Sequence, residues 1–492
     1  MQAQAAYERA RLSRDPRFDG QFFVGVKTTG IYCRPICPAN SPKRENIVFY
    51  PTAAAASEAG FRPCLRCRPE CAPGTPAWHG TSTTVRRGLR LIAAGALDEG
   101  NVETLADRLG VTSRHLRRLF TKHLGASPLS VAHTQRLHFA KRLIDQTNLP
   151  LSDIAIAAGY GSVRRFNDAF RKTYARSPRD IRRRGRVDQP VVNSSALTVT
   201  LNYRQPYDWV RMLDFLRGRA IPGVEVVTDT DYSRSVRVGN DAGVINVRHD
   251  DDAKHLLLTV RGIATPDLFG VVQQVREIFD LDAPVRDIRA VLGKDPVLKR
   301  HLQRYPGVRV PGAWNGFELT VRAILGQQVS VKAATTLAGR IVERYGTALR
   351  KIDPELGQDG LTHLFPEPDV LANARLNNLG IVGARVATIR RIAKAVVDGA
   401  LDFDAAVDPD SFCSSLTSIR GIGDWTAQYI AMRALKAPDA FPSSDLGLLR
   451  AFDDEHGERI KPAALAAMAE EWRPWRAYAA LLLWSSTPTA GG

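Results

Sequence analysis

The chain has 492 residues, 44% hydrophobic and 24% charged, which is the composition of a globular protein too long for one core. No run of about 18 apolar residues occurs, so the sequence predicts no membrane span. The net charge of +17 is uneven: residues 1–200 carry 32 Lys and Arg against 15 Asp and Glu, whereas residues 201–492 carry 36 of each. This asymmetry favours a polyanionic partner, most simply nucleic acid.

The cell compartment is predicted from the N-terminal residues and the cysteine content. The first residues, MQAQAAYERARLSRDPRF, lack the apolar core of a signal peptide. Six cysteines in 492 residues are too few for a disulfide scaffold. We therefore expect a cytoplasmic, nucleoid-associated protein.

The N-terminal segment contains four clustered cysteines. The stretch TTGIYCRPICPA (28–39) and the later RPCLRC supply two closely spaced pairs: Cys33, Cys37, Cys64 and Cys67. Four thiolates at this spacing are typical of one closed zinc site, which could serve only to stabilise a domain of about 75 residues. Cys71 and Cys413 are predicted to be unligated.

Around these cysteines, TTGIYCRPICPA, KRENIVFY and AGFRPCLRC together resemble the N-terminal domain of the Ada methylation-response family over most of residues 8–70. The resemblance implies that Cys33, the first of the four zinc ligands, accepts a methyl group from a DNA methyl phosphotriester. Arg34 and Arg44, in the same segment, are predicted DNA contacts. Asn40 stands where a basic residue is frequent in the family, which predicts weaker phosphate binding there.

Residues 82–184 are rich in arginine and have a helical pattern with two similar halves. In NVETLADRLGVTSRHLRRLFTKHLGASP, Gly110 marks a turn and Ser113 a helix N-cap. In PLSDIAIAAGYGSVRRFNDAFRKTYARSPRDIRR, Gly159 and Ser162 take the same places. Two such units joined by one helix resemble the AraC-type double helix-turn-helix domain.

The resemblance places recognition helices at 113–123 and 163–174 and predicts DNA contacts there. The candidates are Arg114, Arg117, Arg118, Arg164, Arg165 and Asn167. The sequence does not sort them into base and phosphate contacts, and solvated helix faces are the alternative. Transcriptional activation is the expected use, with RNA polymerase as a protein partner.

The neutral half begins with alternating runs such as RSVRVG, GVINVRH and HLLLTVRG, which predict antiparallel strands. From LNYRQPYDW at residue 201 to WSS near residue 486, including RAILGQQVSV and RGIGDWTA, it resembles the AlkA-type helix-hairpin-helix glycosylases. The backbone N–H groups of the hairpin at Gly421 and Gly423 could bind a DNA phosphate without any lysine. The resemblance makes Asp445 the catalytic carboxylate; alone, it would be read as an N-cap.

Further residues of this half are assigned by the same resemblance. Trp425, Tyr429 and Trp484 map to a base pocket, although core packing is an equal alternative for Trp484. Gln328 is predicted to fill the gap left in the duplex. Strand-cutting relatives have a lysine at the position of Trp425, so we expect no lyase activity.

The sequence therefore predicts a multidomain α+β chain. Its parts are a small zinc-bound α/β domain (1–76), an all-α AraC-type domain (82–184), an α+β antiparallel-sheet domain (197–310) and an all-α helix-hairpin-helix glycosylase domain (311–492). One Zn²⁺ is expected, with no cofactor in the glycosylase half, and double-stranded DNA is the partner. The expected activities are methyl-phosphotriester transfer, transcriptional activation and DNA-3-methyladenine glycosylase activity.

Two alternatives remain: a pure regulator whose second half only binds DNA, and a repair enzyme whose zinc domain is an inert clamp. The Pro-Cys-His-Arg motif of O6-methylguanine transfer is absent from the sequence. We therefore expect no such transfer to this chain.

Overall fold

The computed structural model describes residues 2–73, 83–98, 100–185, 196–351, 353, 356, 360–403, 408–452 and 459–485. The chain divides into two compact units: unit 1 is Met1–Arg204 with Asp250–Gln273, and unit 2 is Gln205–His249 with Gln274–Gly492. The segments APGTPAWHGTST (72–83) and RRRGRVDQPVVNSSA (182–196), whose composition predicts linkers between domains, lie largely outside the described residues. The predicted domain boundaries stay predictions.

The described strands are, in chain order, β1 (Phe23–Val26), β2 (Ile31–Cys33), β3 (Ile47–Tyr50), β4 (Arg62–Pro63), β5 (Ala196–Asn202), β6 (Glu225–Val227), β7 (Asp231–Val238), β8 (Asp241–Asp250), β9 (His255–Arg261), β10 (Thr347–Ala348) and β11 (His363–Leu364). The described α-helices are α1 (Gln2–Leu12), α2 (Ala53–Glu58), α3 (Thr83–Ala93), α4 (Val102–Arg108), α5 (Ser113–Leu124), α6 (Pro128–Gln146), α7 (Leu151–Ala157), α8 (Val163–Tyr174), α9 (Pro178–Gly185), α10 (Trp209–Arg217), α11 (Leu268–Ile278), α12 (Val285–Leu292), α13 (Pro296–Arg304), α14 (Gly316–Leu325), α15 (Val331–Tyr345), α16 (Pro368–Asn373), α17 (Gly383–Val397), α18 (Pro409–Thr417), α19 (Asp424–Arg433), α20 (Leu446–Arg450), α21 (Pro462–Met468) and α22 (Arg476–Trp484). None of these helices has the length and apolar character needed to cross a lipid bilayer.

Unit 1 begins with a small mixed sheet in the order β3-β1-β2-β4. Strand β1 is antiparallel to β2 and β3, and β2 is parallel to β4. Phe22 and Val24 are buried on one side of the sheet, while Phe23 and Tyr32 are buried on the other with Ala56 of α2. The sheet thereby brings the end of β2 close to the chain that follows β4.

The helical part of unit 1 repeats one pattern of burial. In α5 the buried residues are Leu116, Phe120 and Leu124, and in α8 they are Phe166, Phe170 and Tyr174, so both helices bury every fourth residue. This spacing lines one face of a helix and leaves the opposite face in solvent. The long helix α6 joins the two helical pairs, as predicted.

Strands β5 and β9 of unit 1 pair antiparallel, with Val199 opposite Leu258. In unit 2, β7 pairs antiparallel with both β6 and β8. The runs predicted as strands are therefore strands. The two-residue strands β10 and β11 also pair antiparallel, so the predicted all-α domain contains a small amount of β-structure.

The core of unit 2 is formed mainly by helices. Helix α14 buries eight of its ten residues and packs against α15, α17 and α19. Helix α22 is buried from Ala477 to Leu483. Helices buried on nearly all sides are expected at the centre of a domain. This core supports α18 and α19, whose connection carries the glycine hairpin.

Candidate functional site

The four predicted zinc ligands come together at one end of the small sheet. Cys33 ends β2, Cys64 follows β4, and Cys37 and Cys67 lie in the loops after them. All four sulfur atoms lie within 4.8 Å of one another. Cys64 and Cys67 are buried, whereas Cys33 and Cys37 are half-buried.

This donor set fits one zinc ion. Zn–S bonds of about 2.3 Å in a tetrahedron place sulfur atoms about 3.8 Å apart, which the cluster can accommodate. Four thiolates would fill the coordination shell of one zinc ion, which would hold the two loops together. Cys71 and Cys413 lie outside this group.

Arg34 stabilises the four-cysteine cluster through hydrogen bonds to Cys67. Its backbone N–H donates to Cys67 Sγ at 3.3 Å, and its guanidinium Nη1 donates to the Cys67 carbonyl at 3.1 Å. The same guanidinium pairs with buried Asp19, with Nε 2.8 Å from Oδ1. The positive charge of Arg34 is therefore neutralised by Asp19 within the domain. Arg44, by contrast, is exposed, and its guanidinium lies over the ring of Phe49.

The zinc domain packs on α6 through buried polar contacts. Tyr32, next to Cys33, has its hydroxyl 2.9 Å from His138 Nε2. Burial, followed by the charges of Arg142 and Lys141, lowers the pKa of His138 to about 3, so this imidazole is neutral at pH 7. Lys141 is buried and lies 3.3 Å from Glu70. These contacts fix the position of the zinc domain on the helix that joins the two helical pairs.

The turns of both helix-turn-helix units have the predicted glycines. Gly110 and Gly159 have φ angles of +69° and +73°, a region that glycine enters without strain. Ser162 caps α8 as predicted. The prediction for Ser113 is wrong: Thr112 is the N-cap of α5, because its side chain accepts the His115 N–H, and Ser113 is the first helical residue.

Most of the side chains predicted to contact DNA on these helices are exposed to solvent. The exposed side chains are Arg114, Arg117, Arg118, Arg164 and Arg165, and Asn167 is half-buried. Arg117 forms an ion pair with Glu103 at 2.9 Å, and Arg118 lies 3.1 Å from His115 Nδ1. Both interactions are exposed, so a DNA phosphate can replace them at little cost.

The hairpin between α18 and α19 presents exposed backbone. Gly421 has φ +101°, and a Cβ there would lie 2.1 Å from Thr388 Oγ1, so no other residue fits without displacement. Gly423 is the N-cap of α19 and supplies no side chain to the first N–H groups of that helix. Uncapped N–H groups at a helix start are suited to binding an anion.

Asp445 lies half-buried in unit 2 and accepts three hydrogen bonds. Trp425 Nε1 donates to Oδ2 at 2.8 Å, and Trp484 Nε1 donates to Oδ1 at 2.8 Å. The Leu448 N–H also donates to Oδ1, at 3.0 Å, so Asp445 is the N-cap of α20 as well. The N-cap reading and the functional reading are therefore compatible, because capping uses only part of the carboxylate.

The three predicted pocket aromatics lie together, and two of them contact this carboxylate. Trp425 and Tyr429 stack with ring centroids 5.3 Å apart and an angle of 6°, and Trp484 is tilted against Tyr429 at 6.4 Å. Trp484 also packs against the core of unit 2, which is the alternative predicted for it, and its place in a base pocket stays a prediction. Gln328 is exposed in the loop after α14, with φ +55°.

Sequence reasoning missed the cations behind Tyr429. Arg433 Nη1 donates to the Tyr429 hydroxyl at 2.7 Å, and Arg219 stacks over Phe215 at 3.9 Å. Burial would raise the pKa of Tyr429, but the charges of Arg433 and Arg219 lower it below its usual value. The i, i+4 spacing of Tyr429 and Arg433 was the available signal. Arg219, 210 positions upstream of Tyr429, gave none.

Four family matches cover most of the chain. They are the metal binding domain of Ada over residues 6–70, a helix-turn-helix domain over 105–184, the AlkA N-terminal domain over 198–315, and the HhH-GPD superfamily base excision DNA repair protein over 321–477. The predicted resemblances and the predicted multidomain fold class are confirmed, as is the assignment of a zinc-binding domain.

Three relatives show how far the likeness extends. A probable bifunctional transcriptional activator/DNA repair enzyme AlkA of Mycobacterium tuberculosis is 41% identical over 480 residues, 97% of this chain and 95% of the relative. DNA-3-methyladenine glycosylase 2 of Escherichia coli is 34% identical over 58% of this chain and 96% of its own length. Bifunctional transcriptional activator/DNA repair enzyme AdaA of Bacillus subtilis is 32% identical over 37% and 83%.

The first relative matches almost from end to end, and the other two match the chain in part. Three of the family matches fall on the elements that carry the cysteine cluster, the two helix-turn-helix units and the hairpin with its carboxylate, and the fourth falls on residues 198–315, which contain most of strand β5 and the strands β6 to β9. The chain belongs to the family of bifunctional transcriptional activator/DNA repair proteins of the AlkA type.

Proposed function

We propose that this protein senses DNA methylation through Cys33, activates transcription through its helix-turn-helix units, and excises alkylated purines such as 3-methyladenine with Asp445. The observation that carries the proposal is the Asp445 carboxylate held by two indole N–H groups beside the hairpin, in a chain that also contains the four-cysteine cluster. RNA polymerase is the proposed protein partner at promoters, and nucleoid DNA is the proposed location.

The proposed methyl transfer is a single displacement at carbon. The Cys33 sulfur forms a bond to the methyl carbon while the bond from that carbon to the phosphotriester oxygen breaks, which leaves a thioether and a phosphodiester anion. Zinc supplies the means to keep the cysteines deprotonated at neutral pH. The thioether is not a leaving group at neutral pH, so each chain accepts one methyl group.

Methyl transfer also changes the charge that the cluster presents to DNA. Four thiolates around one divalent cation carry a net charge of about −2, and methylation of one sulfur makes it about −1. Because repulsion from the phosphates decreases, affinity for DNA rises, and the gain is greatest at low salt. Arg44 and the exposed arginines of α5 and α8 supply the attraction.

The proposed excision breaks the bond between the sugar C1′ and the base nitrogen. Alkylation at N3 or N7 makes the purine cationic, so it leaves as a neutral base and the sugar acquires oxocarbenium character. The Asp445 carboxylate stabilises that charge and orients the water, whose oxygen bonds to C1′ while one of its protons passes to solvent. Its fixed hydrogen bonds to Trp425, Trp484 and Leu448 keep it oriented without rearrangement during the reaction.

Aromatic rings would bind the flipped base. The face of Trp425 that stacks on Tyr429 is already occupied, so the base must use the remaining faces of these rings and Trp484. Electron-rich faces favour a cationic purine over a neutral one. The side chain at the position of the lyase lysine is Trp425, whose indole donates to Asp445, so the reaction ends at the abasic site.

The test is to incubate the full chain with methylating-agent-treated DNA and measure both products in one tube. We expect one added methyl group on the Cys33 peptide by mass spectrometry, together with abasic sites in the DNA. Abasic sites without added mass would support the glycosylase activity and refute methyl sensing by Cys33. Added mass without abasic sites would support methyl sensing by Cys33 and refute the glycosylase activity.

An inert zinc clamp is the second candidate for the front of the chain. The buried contacts of Tyr32 with His138 and of Lys141 with Glu70 favour it, because they pack the zinc domain firmly on α6 whether or not Cys33 reacts. A clamp would bind DNA equally well before and after exposure to methylated DNA. A salt titration of binding to double-stranded DNA by both forms distinguishes the two candidates.

A further inference from the structure

The loop between α14 and α15 contains two adjacent glutamines with different surroundings. Gln328, the predicted gap-filling residue, is exposed and has a left-handed backbone, φ +55°. Its neighbour Gln327 is half-buried. The two adjacent side chains are therefore in different environments, Gln328 in solvent and Gln327 partly enclosed by the protein.

Gln327 connects this loop to the hairpin. Its amide Nε2 lies 3.1 Å from the Gly421 carbonyl oxygen and 3.2 Å from Thr426 Oγ1. These acceptors belong to the hairpin turn and to the first turn of α19. One side-chain amide therefore joins the loop to both parts of the predicted phosphate-binding element.

The backbone of Gln327 is also fixed. Its carbonyl oxygen accepts a hydrogen bond from Arg385 on α17. On the other side of the hairpin, the Arg420 carbonyl accepts from Thr388 Oγ1 at 3.3 Å and from Arg391 Nη1 at 3.1 Å. Thr388 and Arg391 therefore hold the hairpin from α17, whereas Gln327 holds it from the gap-filling loop.

We propose that Gln327 is a positioning residue that sets the distance between the gap-filling loop and the phosphate-binding hairpin. With this distance fixed, insertion of Gln328 into the duplex and binding of the backbone phosphate occur in one docked arrangement. Gln327 itself need not touch the DNA. The inference rests on the proposed glycosylase function and adds the element that coordinates its two DNA contacts.

The chemistry of the amide suits this role. A glutamine amide offers two N–H donors without a charge, so it satisfies two oxygens and does not attract the phosphate away from the hairpin. A lysine would also donate but would compete for the phosphate, and a glutamate would repel the Gly421 carbonyl oxygen. Methionine has a similar length and no donor, so Gln327→Met removes the bridge while keeping the volume.

The test compares the affinity of the full chain for two duplexes, one intact and one with a tetrahydrofuran abasic analogue. Only the second needs the gap-filling loop. For Gln327→Met we expect about a tenfold loss of preference for the abasic duplex and less than a twofold change for the intact one. Unit 1 is not expected to distinguish the two duplexes, so a change in the ratio reports on unit 2.

Gln274 provides the matched control, because its Nε2 also bridges two carbonyl oxygens of unit 2, those of Ala313 and Trp314, at 2.9 Å each. Gln274→Met should lower the thermal midpoint without changing the ratio. An unchanged ratio in Gln327→Met, or an equal loss for both duplexes, would refute the positioning role. A wild-type chain with no preference for the abasic duplex and no excision would instead refute the proposed function.

Discussion

Unit 1 and unit 2 each hold one reactive side chain, Cys33 and Asp445, and they hold it by different means. Cys33 shares its surroundings with three other sulfurs, all within 4.8 Å, and in the proposed reaction it forms a permanent bond. Asp445 is held by three N–H donors and is unchanged after each proposed cycle. A group that is consumed needs reactivity, whereas a group that is reused needs orientation.

The largest expected effect is on methyl uptake. Cys33→Ala should reduce uptake from one methyl group per chain to none, because the sulfur that forms the bond is gone, while excision stays within about twofold. Intact mass and peptide mapping measure the first, and counting of abasic sites measures the second. Cys71→Ala, a nearby cysteine outside the cluster, should keep full uptake. Methylation of another cysteine in Cys33→Ala would contradict the assignment.

The next largest effect is on excision. Asp445→Asn should slow excision about 10³-fold, because an amide cannot balance the positive charge that develops on the sugar. Asparagine is a good N-cap, so α20 should remain folded. Single-turnover kinetics on a duplex with one alkylated purine measure the rate, and methyl uptake on Cys33 is the control. A variant that retains more than about a tenth of the wild-type rate would move the chemistry to another group.

Acid should affect the two units in opposite directions. Protonation of the cysteines weakens zinc binding in unit 1 as the pH falls. In unit 2, burial raises the pKa of Asp280 to about 6, although Arg309, Lys436, the Val310 N–H and Tyr478 counteract it. Since the folded pKa exceeds the unfolded value, the native state holds a proton between about pH 4 and 6, and its stability falls as the pH rises through that window.

The corresponding variant is Asp280→Asn, which cannot ionise but can still accept from Tyr478 and Val310. The wild-type free energy of unfolding, relative to this variant, should fall by up to about 3 kcal/mol between pH 4 and 7. Urea unfolding followed by tryptophan fluorescence measures it, since six of the seven tryptophans follow residue 200. A difference that does not vary with pH would show that Asp280 stays ionised throughout.

The smallest effect concerns orientation of the carboxylate. Trp425→Phe keeps the ring but removes the N–H that donates to Asp445, so we expect about a tenfold slower excision step with little change in DNA affinity. Trp472→Phe is the control, because Trp472 Nε1 donates to Asp295 at 3.0 Å in the same core. That variant should lose stability and keep its rate. Equal rate losses in both variants would indicate general loosening of unit 2.

Features that depend on neighbouring residues were predictable from the sequence. The cysteine spacings predicted one cluster, and Gly110 and Gly159 predicted the turns of two helix pairs. The assignment of the N-cap to Ser113 rather than Thr112 shows the limit of this local reading, because either hydroxyl could cap α5 and the backbone of the turn decides.

Features that depend on long-range packing were not predictable. Trp425 and Trp484 lie 20 and 39 positions from Asp445, and no periodicity places their indole N–H groups on its two oxygens. Gln327 reaches Gly421 across 94 positions. The resemblance to the AlkA family identified the pocket residues, but only the folded chain shows which atoms hold one another.

The sulfur cluster has a consequence for how the cell would read damage over time. A thioether at Cys33 lasts as long as the polypeptide, because nothing in the proposed chemistry removes it. The number of methylated chains then counts the phosphotriesters that have already been demethylated, and not the phosphotriesters present at that moment. Protein synthesis, degradation and dilution by growth set how long that memory lasts.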